Sequence, residues 1–199
     1  KALVRAVSDT FLPDPARQQS SAFEGIRHVH MTFTDPVLSR RTVALAQEAG
    51  AGLSLDLEAA DWIEDPAHMR QLVDAVDLLF TSATSRAAVE ARLGPLNAGP
   101  GKTIVTTAGA EGTMVEHAAG TARVDGHRVD VVDTLGAGDA FAAAFLHSWL
   151  GGAAPADALG FANAAAALSV RAYGAQTGMA RPGEVERLDA QLSEEPHHA

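Results

Sequence analysis

The segment that most constrains this chain is a nine-residue run between a strand-like stretch and a long alanine-rich helix. It reads Asp133-Thr134-Leu135-Gly136-Ala137-Gly138-Asp139-Ala140-Phe141. β-Branched residues at 129–132 favour a strand before this run, and helix formers with spaced apolar residues at 140–150 favour a helix after it. The sequence therefore predicts a strand that enters a helix through a glycine turn.

This glycine turn is suited to binding an anion. The first backbone N–H groups of a helix have no partner within it, and the helix dipole adds partial positive charge there, so phosphate oxygens bind well. Gly136 and Gly138 let the backbone approach a ligand closely. The carboxylate of Asp139 would repel an anion, but it could take a proton from a hydroxyl that attacks a bound phosphoryl group. This combination predicts phosphoryl transfer to an alcohol.

A simpler interpretation of the same residues stays open. Asp139 could cap a helix, and the two glycines could form an ordinary turn that binds nothing. Retention of activity after replacement of Asp139 by asparagine would favour that interpretation.

Charge and composition argue against several other classes of protein. The chain has 15 Lys and Arg residues against 25 Asp and Glu residues, a net charge of −10, so nucleic acid and anionic membranes are poor partners. The absence of cysteine excludes disulfides, thiolate metal sites and a thiol nucleophile. No apolar run reaches the roughly 18 residues of a membrane span, and no leader pattern is present, so we expect a cytoplasmic protein.

Strand-like and helix-like segments alternate along the chain, which predicts an α/β fold with helices on both faces of a mostly parallel sheet. The predicted strands are 28–33, 52–57, 77–80, 103–107 and 129–132, with a hairpin at 112–117 and 121–124. The predicted helices are 35–49, 65–76, 85–93, 140–150, 155–170 and 182–192. No linker divides the chain, so a single domain over residues 1–199 is expected. Ligands of such sheets collect beyond the carboxyl ends of the strands, where segments 107–112 and 134–139 both lie.

The glycine-turn motif resembles the C-terminal signature of the ribokinase-like, or PfkB, family of carbohydrate and nucleoside kinases. Residues 104–112, Ile-Val-Thr-Thr-Ala-Gly-Ala-Glu-Gly, are similar to the strand and Thr-x-Gly-x-x-Gly loop beside the nucleotide in that family. Residues 161–169 and Gly174-Ala175 are similar to the helix and loop that close over the adenine. The resemblance runs from Val29 to Leu188 and implies a three-layer, Rossmann-like ribokinase fold. It also implies that the N-terminal strands and the lid of the family are missing from this chain.

The resemblance implies ATP as cofactor and the hydroxymethyl group of a small sugar as phosphoryl acceptor. Phosphoryl transfer also needs a divalent cation to offset charge on the nucleotide phosphates, so Mg²⁺ is expected. Asp139 is then the general base, and the backbone N–H groups of Gly136, Ala137 and Gly138 hold the transferring group. The residues implied in nucleotide binding are Thr107, Gly109, Gly112, Thr134, Asn163 and Gly174.

Two of the implied site residues have open alternatives. Asp133 is implied in holding a monovalent cation, K⁺ in particular, but it could instead cap the loop through backbone N–H groups. Asn163 is implied in the adenine pocket, but it could simply bond a neighbouring loop.

Three segments depart from the family pattern. Ser82 and Ser85 stand where many relatives carry Asn-x-x-Glu, whose carboxylate helps to organise magnesium and phosphate. Gly178 stands where a hydroxyl side chain is expected. Leu55-Asp56-Leu57-Glu58 differs from the Asp-Pro-Asn pattern of many sugar kinases and is similar to the ketohexokinase branch, which favours a ketose or a related sugar as substrate. Asp56 and Glu58 share one side of a strand, where they could contact magnesium or sugar or form a solvated strand end.

Two other functions are consistent with the same residues. A nucleoside kinase of the same fold and a non-catalytic nucleotide-binding or regulatory protein are the two alternatives, and homodimer formation stays open. A redox Rossmann domain is disfavoured, because no early strand is followed by Gly-x-Gly-x-x-Gly. Lys1 at the first position and the strand-like residues 2–7 suggest a fragment, a processed form or a partly observed chain of a longer kinase.

The histidines and tryptophans show no pattern of their own that indicates a site. His28 and His30 alternate on a strand, and His197 and His198 lie at the chain end, so we expect no metal site there. The tryptophans, Trp62 and Trp149, are expected to pack in the interior.

Overall fold

The computed structural model describes residues 14–32, 35–58 and 65–194, with side chains through residue 188. The strand expected at residues 2–7, Trp62, and the pair His197 and His198 lie outside these described residues. Their interpretations stay predictions.

Within the described ranges, six strands form one mixed sheet. They are β1 (His28–Met31), β2 (Gly52–Leu57), β3 (Leu78–Ser82), β4 (Thr103–Thr107), β5 (Thr113–His117) and β6 (Gly120–Val124). Their order across the sheet is the same as their order in the chain. Strands β1 to β4 are parallel to one another, and β5 and β6 continue the sheet as an antiparallel hairpin. The carboxyl ends of the four parallel strands therefore meet at one edge of the sheet.

Helices cover both faces of the sheet. They are α1 (Pro36–Glu48), α2 (Pro66–Ala75), α3 (Ala83–Leu93), α4 (Ala137–Leu150), α5 (Pro155–Ser169) and α6 (Pro182–Glu194). Leu79 packs in a core with α1, α2 and α3, whereas its neighbours Leu78 and Phe80 pack in a second core with α4 and α5. Successive residues of a strand face opposite sides, so one buried strand supplies both cores. The predicted three-layer α/β fold is confirmed.

Local signals explain where several helices begin. Asp35 accepts hydrogen bonds from the amides of Val37 and Leu38, and Asp65 accepts one from the amide of His68. In both helices a proline follows the capping residue, which suits the first turn because proline has no N–H to leave unpaired. A side-chain cap of this kind stabilises a helix by about 1 kcal/mol.

The prediction of a strand at residues 129–132 is wrong. This stretch is irregular, and Val131 and Val132 are 59% and 51% exposed. The amides of Val132 and Asp133 donate to the carbonyl of Val170, at 2.8 and 3.1 Å, instead of to a strand. β-Branched residues here favour an extended backbone, but the segment leaves the sheet and runs beside the end of α5, so it has no ladder to join.

The remaining boundaries agree with prediction to within a few residues, apart from Phe33, which lies outside the described residues. Within the described part of the chain, the structure shows no helix that is both long and apolar enough to cross a membrane.

Candidate active site

The candidate site is a cleft at the carboxyl edge of the parallel strands. It has a volume of about 240 Å³ and lies between α3 on one face of the sheet and α4 on the other. The strand ends of β2, β3 and β4 form its floor. The lining residues are Asp56, Leu57, Glu58, Phe80, Thr81, Ser82, Ser85, Thr107, Gly138, Phe141 and Ala142.

The glycine turn forms the N-terminus of α4 beside this cleft. Gly136 has a φ of +81° and caps the helix, and the first helical hydrogen bond runs from the amide of Ala140 to the carbonyl of Gly136, at 2.9 Å. The amides of Gly138 and Asp139 precede that bond, so they have no acceptor within the helix. Asp139 lies in the first turn and is exposed. The turn thus offers free backbone donors next to an accessible carboxylate.

Glycine is present at positions 136 and 138 for different structural reasons. A Cβ atom on Gly136 would lie 2.5 Å from the carbonyl oxygen of Ala175, so glycine is required by packing and by the positive φ. A Cβ atom on Gly138 would meet nothing within 4 Å among the described atoms, and its φ lies outside the left-handed region. Because Gly138 lines the cleft, the open space above it indicates room for a ligand.

Asp133 ties this turn to the loop that follows α5. One carboxylate oxygen accepts a hydrogen bond from the amide of Leu135 and the other accepts one from the amide of Gly174, each at 3.0 Å. A Cβ atom on Gly178 would lie 2.2 Å from the carbonyl oxygen of Ser169, so no side chain fits at that position. The loop-capping interpretation of Asp133 is what the structure shows, and the K⁺ role stays a prediction.

The second predicted nucleotide loop follows β4. Thr107 lies at the strand end and lines the cleft. Gly109 has a φ of +58° and open space around it, whereas a Cβ atom on Gly112 would lie 2.2 Å from the carbonyl oxygen of Val124. The structure thus brings Thr107 into the cleft and explains Gly112 by packing against the hairpin.

Two other predicted nucleotide residues have identified neighbours. Asn163 on α5 is 7% exposed and donates a hydrogen bond to the carbonyl of Asp125 at 3.1 Å, as the alternative interpretation expected. Thr134 lies in the exposed part of the turn, where its carbonyl accepts from the amide of Ala137 at 3.4 Å. Their roles with a nucleotide stay predictions.

The cleft is acidic on its β2 side. Burial raises the pKa of Asp56 to about 6, and the nearby carboxylates of Glu58 and Asp139 add to this effect. Within the described ranges, no three histidine or carboxylate side chains are arranged to hold a metal ion. Mg²⁺ commonly binds through one or two carboxylates plus substrate phosphates, and Asp56 fits that limited role.

Hydroxyl groups line the opposite side of the cleft. Ser82 accepts a hydrogen bond from the amide of Ser85 at 3.0 Å and donates one to its hydroxyl at 2.9 Å. Ser82 is the N-cap of α3, and with Ser85, Thr107 and the buried Thr81 it forms a neutral wall. The sequence pattern did not identify Thr81, although its position near the carboxyl end of a parallel strand was a usable signal.

Aromatic rings hold α4 in place over the cleft. The ring of Phe80 meets the rings of Phe141 and Phe145 edge to face, with centroids 6.5 and 5.5 Å apart. Phe141 follows Asp139 by two residues, so this packing fixes the position of the carboxylate relative to the sheet. Trp149 stacks on Phe145 at 5.7 Å, which agrees with its expected packing role.

A family model described as pfkB family carbohydrate kinase matches residues 18–181. The chain belongs to this family. Its ribokinase-like fold and its predicted membership of the PfkB kinases are thereby confirmed.

Relatives of this chain in the PfkB family are named for different substrates. The chain is 29% identical over 188 residues to a nucleoside kinase of Methanothermobacter thermautotrophicus, an alignment that covers 91% of this chain and 60% of that protein. It is 35% identical over 156 residues to an ATP-dependent ribose-1-phosphate kinase of Halopiger xanaduensis, covering 75% of this chain and 50% of that protein. The chain thus spans 50–60% of the length of these two relatives.

A solved fructokinase from Xylella fastidiosa with bound ATP superposes with a TM-score of 0.79 at 22% identity. The match covers 92% of this chain and 67% of that one. At this identity the similarity demonstrates the shared fold.

Proposed function

We propose that this single α/β domain is the nucleotide-binding part of an ATP-dependent kinase that phosphorylates a hydroxymethyl group of a small sugar. The observation that carries the proposal is the open N-terminus of α4, where free amides and the exposed Asp139 border a cleft. Family membership supports the same chemistry.

In this proposal the γ-phosphate lies on the amides of Gly138 and Asp139, a set that differs from the expected Gly136, Ala137 and Gly138. The amide of Ala137 already donates to the carbonyl of Thr134 at 3.4 Å. Backbone donors that are already in position stabilise the charge on a transferring phosphoryl group without reorganisation. Asp139 takes the proton of the acceptor hydroxyl as that oxygen attacks phosphorus. The nucleotide extends past Thr107 and Gly109 toward Gly174, which Asp133 links to the glycine turn.

Mg²⁺ would neutralise charge on the nucleotide phosphates, and Asp56 and Glu58 are carboxylates in the cleft lining that would hold it. K⁺ dependence is a separate proposal, because both oxygens of Asp133 already accept amide hydrogen bonds. A comparison of turnover in K⁺ and Na⁺ salts tests it.

Replacement of Asp139 by asparagine tests the assignment of the base. We expect this variant to fold and bind nucleotide like the wild type but to lose phosphoryl transfer by about 10²-fold or more. ADP release with a sugar panel and calorimetric titration with a non-hydrolysable ATP analogue measure the two properties. Full turnover by the variant would contradict the proposal.

A nucleoside kinase is the second candidate, because one of the relatives carries that name. The similarity of residues 55–58 to the ketohexokinase branch supports a ketose instead. Assays with ketoses, aldoses and nucleosides in parallel distinguish these candidates. Nucleotide binding without turnover on any acceptor would favour a regulatory protein.

A further inference from the structure

The N-terminus of α3 forms one wall of the cleft. Ser82, at the end of β3, caps this 11-residue helix by accepting a hydrogen bond from the amide of Ser85. The amides of Ala83 and Thr84 also precede the first hydrogen bond within the helix, so they have no acceptor in it. Because Ser82 and Ser85 both line the cleft, the positive end of the α3 dipole lies at the cleft as well.

Ser85 adds a side-chain donor to this wall. The residue is only 7% exposed, yet it lines the cleft. The hydroxyls of Ser82 and Ser85 carry two hydrogens but share one hydrogen bond, at 2.9 Å, in which Ser82 is the donor. Within the described part of the chain, no group accepts the remaining hydrogen of Ser85. A buried donor without an acceptor costs free energy, so an acceptor that enters the cleft is favoured at this point.

The donors of the α3 wall favour an anion over a neutral ligand. Free amides at the positive end of a helix bind phosphate oxygens. Thr107 adds a third hydroxyl, because it lies directly beside Ser82 in the register of β4 against β3. Among the described lining residues, the carboxylates Asp56 and Glu58 both lie at the end of β2, and none lies on α3 or β4. An anion on the α3 wall is therefore on the side of the cleft that carries no like charge.

The size of the cleft indicates which part of a nucleotide would enter it. Its volume of about 240 Å³ is below the roughly 300–1,000 Å³ of pockets that hold a whole drug-sized ligand. The phosphates would therefore lie in the cleft, with the base and the ribose outside it. The proposed function places the transferred phosphate on the glycine turn, so the α3 wall is left for another phosphate of the same nucleotide.

We propose that the N-terminus of α3 binds a phosphate that is not transferred, directly and without a metal ion between them, an inference that rests on the proposed kinase function. The amides of Ala83 and Thr84 and the hydroxyl of Ser85 donate to its oxygens. Mg²⁺ then has its protein ligands on the β2 side of the cleft, at Asp56 and Glu58. Ser85 stands where many relatives carry the glutamate of Asn-x-x-Glu, so this chain separates phosphate binding at α3 from metal binding at β2.

Calorimetric titration of the 199-residue chain with ADP and with pyrophosphate, each in Mg²⁺ and in EDTA, tests this separation. Ser85→Ala should weaken binding of both ligands about 10-fold in either condition, because a hydrogen bond to a charged group is lost. Asp56→Asn should weaken binding in Mg²⁺ but not in EDTA. Ser39→Ala is the matched control, since Ser39 is a fully buried serine near the start of α1, outside the cleft lining, and its affinities should equal those of the wild type.

Ser85→Glu is a second variant, with folding of each variant checked by circular dichroism. Its carboxylate should repel metal-free phosphate, so binding in EDTA should be weaker than in Ser85→Ala. Wild-type affinity of Ser85→Ala in EDTA, a loss confined to the Mg²⁺ titrations, or a wild type that binds only in Mg²⁺ would overturn the inference and leave the kinase proposal standing. A wild type that binds neither ligand in either condition would refute both.

Discussion

Gly138 offers a test in which stability and activity should change in opposite directions. Replacement of a helical glycine by alanine stabilises a protein by about 0.5–1 kcal/mol, because alanine loses less backbone entropy on folding. A Cβ atom at position 138 would contact nothing within 4 Å among the described atoms. Since the residue lies near the helix end, we expect a gain of about 0.5 kcal/mol, or roughly 1–2 °C in Tm for a chain of this length.

The same methyl group should impair catalysis. It would occupy the space over the amide that we assign to the transferring phosphate. Loss of one such backbone donor costs about 10²- to 10³-fold in turnover in comparable sites. Thermal unfolding and ADP release on one preparation of Gly138→Ala measure both effects.

Two other glycines serve as controls. Gly183 occupies the same second position in α6, where a Cβ atom would meet only Arg187 at 3.8 Å, so Gly183→Ala should be slightly stabilised and fully active. Gly136→Ala should be destabilised, because it combines a φ of +81° with a Cβ atom 2.5 Å from the carbonyl oxygen of Ala175. A Gly138→Ala variant with wild-type turnover would refute the placement of phosphate on this turn.

Three further predictions concern groups around the cleft and in the adjoining sheet. The pKa of Asp56 is raised to about 6, so its contribution to stability is complete below pH 3.8 and is lost as the pH rises through 6. Asp56→Asn should therefore raise the free energy of unfolding at pH 8 and leave it nearly unchanged at pH 3.5, as measured by urea denaturation. Asp133→Ala removes the bonds to two loop amides, including that of Gly174, and should cost about 1–3 kcal/mol in the same assay. Arg86→Met leaves two glutamates without their ion-pair partner and should cost about 1–3 kcal/mol, with kcat of the folded protein unchanged.

The fold was predictable because its signals are local. Aspartate followed by proline marked the starts of α1 and α2, and alternating apolar segments marked the parallel strands. The prediction of a strand at 129–132 was wrong because a strand also needs a partner that local sequence does not show. Its β-branched residues favour an extended backbone, but only a neighbouring strand could turn that preference into sheet, and the chain there bonds to Val170 at the end of α5.

The candidate site was predictable in its motif but not in its connections. The Gly-x-Gly pattern identified the glycine turn that borders the cleft, yet it could not show that packing requires Gly136 while Gly138 is open. The bond from Asp133 to Gly174 joins residues 41 positions apart, so no local pattern contains it. The position of Ser82 beside Thr107 likewise depends on the register of β3 against β4, which only the folded sheet supplies.

The contacts that the sequence pattern could not predict are those that hold the glycine turn in position. On one side, the ring of Phe141 packs on Phe80 and anchors the first turn of α4 to the sheet. On the other, Asp133 holds the backbone before the turn against the loop after α5. A donor stabilises a transition state only to the extent that its position is set in advance. Weakening either anchor should therefore slow the proposed phosphoryl transfer, because the amides of the turn would no longer be held in position.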